Sequence, residues 1–134
     1  METRDKFLQS IRPEIPSAKT FSTTSDEERF QNETLRPIAK LQNDLMLAIF
    51  RNYIRKHKNV FYELSLEKRI EYIENAIHKD TKFRNSMRGI IVGQFTLAEY
   101  EEYIQNASAL TKRMMEVVIY RLNSNMQLLE YDYA

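Results

Sequence analysis

TLAEYEEYIQNASALTKRMMEVVIYRLNSNMQLLE, residues 96–130, contains neither proline nor glycine. Thr96, followed three residues later by Glu99, has the form of a capping box, in which hydroxyl and carboxylate each satisfy a free amide of the first helical turn. At 100° per residue, Tyr100, Tyr103, Ile104, Ala107, Leu110, Met114, Val117, Val118, Leu122 and Leu129 fall on one side. Glu99, Glu101, Glu102, Gln105, Lys112, Arg113, Glu116, Asn123 and Gln127 lie away from the centre of that side. The pattern predicts one amphipathic helix over 97–130. Its apolar arc covers roughly 200°, against the roughly 100° that one packing contact needs, so the helix must meet more than one neighbour.

The chain has 134 residues, enough for one domain with a core that needs no disulfide or metal. It has no cysteine, which removes disulfides, thiolate metal sites and cysteine nucleophiles together. Twenty basic residues against nineteen acidic give a formal charge of +1, so no global field draws in DNA or an anionic membrane. Two glycines and three prolines disfavour a turn-rich β protein. No apolar run is long enough for a transmembrane helix, and Met1–Pro16 has no apolar signal core. The cytoplasm is the expected location.

Upstream, Ser25 with Asp26, Glu27 and Glu28 marks a second helix start, the acids lying at the positive end of the helix dipole. The helix is expected to run to about Lys58, with Phe30, Leu35, Ile38, Leu41, Leu45, Ala48, Ile49 and Tyr53 inward. Pro37 should kink or split it near Leu35, because proline has no N–H to donate. Ser65 caps a short helix over 66–79, and Asp80 caps another over 81–93. Gly89 inside the latter suggests close helix approach, and Gly93 suits its end. Residues 1–25, with Pro13, Pro16 and the Ser/Thr-rich stretch from Ser17, form a weakly ordered N-terminal segment, and 26–134 form a single helical domain. Long, short, short, long with tight connections predicts an all-α fold: an up-down-up-down helical bundle with two long outer helices and a short central helical hairpin.

Catalytic patterns are sparse. There is no G-x-S-x-G and no Gly-rich phosphate loop. Glu74 and His78 make an i,i+4 pair, but the paired Glu-x-x-His of helical di-iron proteins is missing, so neither metal nor cofactor is expected. The basic run Arg51–Lys58 suits a helix C-terminus; nucleic acid is not the expected partner. Arg84 and Arg88 share a face with Asp80, which offers a small anion-binding corner beside the capping role of that aspartate. More telling are polar residues inside apolar arcs: Arg121 and Asn125 in the last helix, Gln31, Gln42 and Asn52 in the first. Buried polar groups need partners. With the helix ends aligned, Arg121 falls opposite Thr34, near Glu33 and Gln31. Two readings stay open, a register-fixing polar layer and a ligand pocket formed by Arg121 and Asn125 with Tyr53, Tyr100 and Tyr103.

The runs FQNETLRPIAKLQND (30–44), KNVFYEL (58–64) and RNSMRGIIVGQFTLAEYEEYIQNASALTKRMM (84–115) resemble a family of short, all-helical bacterial proteins without a settled function, some of which carry the label glyoxalase. The resemblance covers most of the chain after residue 25. It implies a helical fold and, through the label, a lyase activity. No position here matches the His and Glu ligand pattern of metal-dependent glyoxalases, so no residue role is carried over.

The long helices run roughly 50 Å and the short pair about 20 Å, so the pair covers only one end of the long ones. Met114, Met115, Val118, Leu122 and Leu129 are then left over as an interface, and a two-fold homodimer or a docked partner helix is the expected way to cover them. The competing cover is intramolecular, from Phe7, Leu8, Ile11 and Ile15. The sequence thus points to a non-enzymatic interaction or self-associating module, with a small-molecule binder or enzyme carrying an inter-helical site as the alternative.

Overall fold

The helix starts read from the sequence are formed. Ser25 accepts the Glu28 amide at 3.1 Å, Ser65 that of Lys68 at 3.3 Å and Asp80 that of Phe83 at 3.1 Å. At Thr96 the capping box closes both ways: its amide donates to Glu99 at 2.8 Å, and its hydroxyl accepts the Glu99 amide at 3.2 Å. The structure, a computed structural model, describes residues 2–15 and 24–130. Pro16 and most of the Ser/Thr-rich stretch lie outside the described residues.

Among the described residues all regular structure is helical, and the protein is all-α. In chain order the helices are α1 (Glu2–Ile11), α2 (Asp26–Phe30), a π turn (Gln31–Leu35), α3 (Arg36–Leu41), α4 (Asn43–Lys56), α5 (Leu66–Lys79), α6 (Thr81–Val92), α7 (Leu97–Gln105) and α8 (Ala107–Ser124). Short 3-10 turns lie at Val60–Glu63 and Met126–Leu128.

Both long helices are broken. Pro37 is absorbed upstream, as expected, by a widened turn: the Arg36 amide reaches back five residues to the Gln31 carbonyl, which moves the backbone away from the proline ring. A second break falls at Gln42 (φ −89°, ψ 7°), whose side chain leaves its own helix to donate to the Ile90 carbonyl at 3.0 Å. The expected helix over 97–130 splits at Asn106 (φ −149°, ψ 47°) and ends at Ser124. Asn106 makes no side-chain cap bond at the start of α8; its side chain donates instead to Glu27 at 3.0 Å across the fold.

The expected two outer helices give way to a different arrangement. α8 packs against α2, the π turn, α3, α4, α5, α6 and α7, so it is the central element. It buries Leu110, Met114, Met115, Val117, Val118 and Leu122, an arc of roughly 160°. Two aromatic groups complete the core. Phe50 meets Tyr53, Phe61, Tyr72 and Phe83 at 5.5–6.1 Å between ring centres. Phe95 bridges Phe30 and Tyr103.

The N-terminal segment, expected to be weakly ordered, contains α1, which docks through charge. Arg4 donates to the carbonyls of Phe95 and Gly93, Asp5 accepts the Leu97 amide, and Arg12 grips Glu99 at 2.6 and 3.0 Å. Phe7 and Ile11 stay exposed, so they do not form the lid that competed with the dimer. Gly89 is also corrected: a Cβ there would meet nothing within 4 Å among the described residues, so it serves no close approach to them.

Candidate functional site

Arg121 projects from the last full turn of α8. Its expected partners are engaged elsewhere. Gln31 accepts from Arg113 at 2.7 Å, Glu33 pairs with Arg29 at 3.7 Å, and Thr34 donates to Glu99 at 3.0 Å. A polar layer does exist, but it is built by Arg113 with Gln31 and Glu27, and by Arg12 with Glu99 and Thr34. Arg121 is outside it. Its guanidinium is half-buried and has no hydrogen-bond or ion-pair partner among the described residues. It lines a cavity of about 330 Å³ with Gln31, Arg36, Glu116, Val117 and Tyr120. Burial pushes the Arg121 guanidinium below its usual value; Tyr120 opposes this and the like charge of Arg36 adds to it.

The other residues of the expected pocket do not join Arg121. Asn125 donates to Asn43 at 3.0 Å and to the Arg121 carbonyl at 2.7 Å, which ties off the end of α8. Tyr103 is buried, its hydroxyl held by Arg88 at 3.1 Å and by Thr111 at hydrogen-bond distance. Tyr100 is exposed on α7. Tyr53 lies in a separate, open groove of about 630 Å³ near the α5–α6 corner. The anion-binding corner is likewise not assembled as expected: Arg88 is turned to Tyr103, and Asp80 serves the Phe83 amide and the Tyr53 hydroxyl.

At that corner the Tyr53 hydroxyl donates to Asp80 at 3.1 Å and its ring lies 4.1 Å from His57, whose Nδ1 is 2.8 Å from the Tyr53 carbonyl oxygen. Burial and the Asp80 carboxylate push the Tyr53 phenol up to about 12. The Phe83 amide, which outweighs the effect of burial, and the Tyr53 hydroxyl hold Asp80 below the usual carboxylate range. A phenol so raised is a hydrogen-bond donor at neutral pH and no base, so the triad braces α4 against α6. Tyr72 lines the same groove with its hydroxyl buried and without a hydrogen-bond partner among the described residues. No group of three or more His, Cys, Asp or Glu placed to hold a metal occurs among the described residues; Glu74 and His78 are both exposed.

The five residues expected at an interface are corrected outright. Met114, Met115, Val118, Leu122 and Leu129 are each at most 1% exposed within one chain. Phe30, Leu35 and Ile38, expected inward, are buried with them. The breaks at Gln42 and Asn106 shorten the long helices, so α5 and α6 both reach α8 and leave no bare half. The large apolar side chains that do face solvent include Leu97, Tyr100 and Ile104 on α7, at 42, 44 and 46% exposure.

Sequence reasoning flagged Arg121 as a charge inside an apolar arc but missed Arg36 and Tyr120. Arg36 carried a signal, since it stands one residue after buried Leu35 and one before buried Pro37. The chain matches no known protein family, no curated protein and no solved structure. What the fold defines is an all-α protein without a helix, among the described residues, long and apolar enough to cross a membrane.

Proposed function

We propose that this chain is a non-enzymatic interaction module that associates through α7, with a second copy of itself as the first partner. One observation carries this reading. Leu97, Tyr100 and Ile104 stand at i, i+3 and i+7, half-exposed, on a helix that buried Tyr103 anchors to the core. That spacing is the one by which an amphipathic helix presents anchors to an apolar groove or to a partner helix. The small-molecule alternative is supported instead by the convergence of Arg36 and Arg121 on one cavity. Among the described residues the glyoxalase-type reading has no gathered set of His and Glu ligands to draw on.

Light scattering on the full chain and on Tyr100→Lys with Ile104→Lys tests the proposal. The parent should be a dimer and the variant a monomer. At a concentration low enough to dissociate the parent, the two unfolding free energies should agree within about 0.5 kcal/mol, because both positions are on the surface. A monomeric parent over the whole accessible concentration range would end the self-association reading. A dimer that survives both lysines would show that α7 is not its interface.

A further inference from the structure

The cavity between α8 and the junction of the π turn with α3 has a chemistry that the α7 surface lacks. Arg121 brings a planar fork of N–H donors to this half-buried wall and makes no hydrogen bond or ion pair with the described residues. Arg36 lines the same space, one of its nitrogens 3.3 Å from the Asn32 side-chain oxygen. The like charge of Arg36 disfavours that of Arg121, and Arg121 has no acid partner among the described residues: Glu27 pairs with Arg113, Glu33 with Arg29 and Glu99 with Arg12. Glu116, on the same wall, is solvent-exposed.

We propose that this cavity binds a small organic anion, a carboxylate or a phosphate monoester, gripped between the guanidinium groups of Arg36 and Arg121. Guanidinium forks match the paired oxygens of both anions. The volume of about 330 Å³ suits a small metabolite and not a polymer. Val117 and Tyr120 supply an apolar wall that an organic residue would cover and inorganic phosphate would not. The α7 stripe contributes nothing to this cavity, so either reading can fail without the other.

The arginine Nε–Hε resonances of the full chain report directly on the site. They are followed during titration with benzoate, phenyl phosphate and inorganic phosphate, each at ionic strength matched with sodium chloride. The Arg121 resonance, assigned by its loss in Arg121→Lys, should shift saturably with benzoate or phenyl phosphate, and the tighter of the two identifies the anion. By calorimetry Arg121→Met should weaken binding at least about tenfold, and Arg36→Met similarly. The ligand-free melting temperature of Arg121→Met should stay level or rise, since an unpartnered, half-buried charge is removed. Arg121→Lys, which keeps the charge and loses the fork, covers the case in which the methionine variant does not fold, and it too should bind more weakly. The proposal is overturned if no probe moves the Arg121 resonance up to about 20 mM, if sodium chloride alone moves it equally, or if inorganic phosphate binds tighter than both organic anions. Wild-type affinity in either arginine variant would overturn it as well.

Discussion

Gly89 shows how much one residue hides from pattern reading. Inside a helix, glycine normally signals a close neighbour, yet here the position is exposed and empty. Its cost is then conformational freedom alone, and Gly89→Ala should raise stability by about 1 kcal/mol in urea unfolding. A loss would mean that a neighbour is crowded there. Glu99 is the opposite case, a residue with more partners than its spacing announces. It closes the Thr96 box and also accepts from Arg12 and Thr34. Burial alone would raise its carboxyl, but Arg12, the Thr96 amide and Thr34 outweigh burial and hold it below the usual range. The unfolded chain therefore takes up this proton first as pH falls. The stabilisation is complete above the unfolded value of about 4.3 and drains away below it, through the lower folded value. Glu102, raised by burial and by Asp26, Glu33 and Glu99, works in the other sense, so a difference measurement is needed. Glu99→Gln should cost about 2 kcal/mol at pH 7. The gap to the parent should hold steady down to pH ~5 and close below pH ~4.3. A gap that does not depend on pH would show that the Glu99 charge is not what joins α1, the π turn and α7.

At the scale of elements, what could be read was whatever local chemistry decides. The caps at Ser25, Ser65, Asp80 and Thr96 are bonds between a side chain and an amide three residues on, and each was visible in the sequence. So was the disturbance ahead of Pro37, which follows from a missing N–H. The breaks at Gln42 and Asn106 were not visible, because their causes are distant. Gln42 bonds to Ile90 and Asn106 to Glu27, 48 and 79 residues away. One consequence explains most of the misplaced surface. A helical wheel drawn through Asn106 puts Tyr100 and Ile104 in phase with Val118, as core. Breaking the chain there resets the phase, so α7 keeps Tyr103 inside and turns Tyr100 and Ile104 out. Arg121 could be identified from its arc, but its expected partners depended on a register that the π turn and the Gln42 break both shift. The acceptors fall to Arg113 and Arg12 instead.

For the whole molecule, the central place of α8 changes what an interface mutation does. If Met115 covered a dimer surface, Met115→Lys would separate two folded subunits. Met115 is instead 1% exposed within one chain, beside Met114 at 0% and Leu122 at 1%. α8 holds α2–α4 on one hand and the α5–α6 pair on the other, so a charge on it has no water and no partner. Met115→Lys should therefore unfold the subunit, with a loss of more than about 3 kcal/mol by urea denaturation or failure to accumulate as folded protein. Ile104→Lys, on the exposed side of α7, should leave the fold intact. The pair separates core from contact surface in one experiment. A folded Met115→Lys monomer with unchanged midpoint would mean that α8 is not the hub, and that the apolar surface assigned to the core is shared with a second chain.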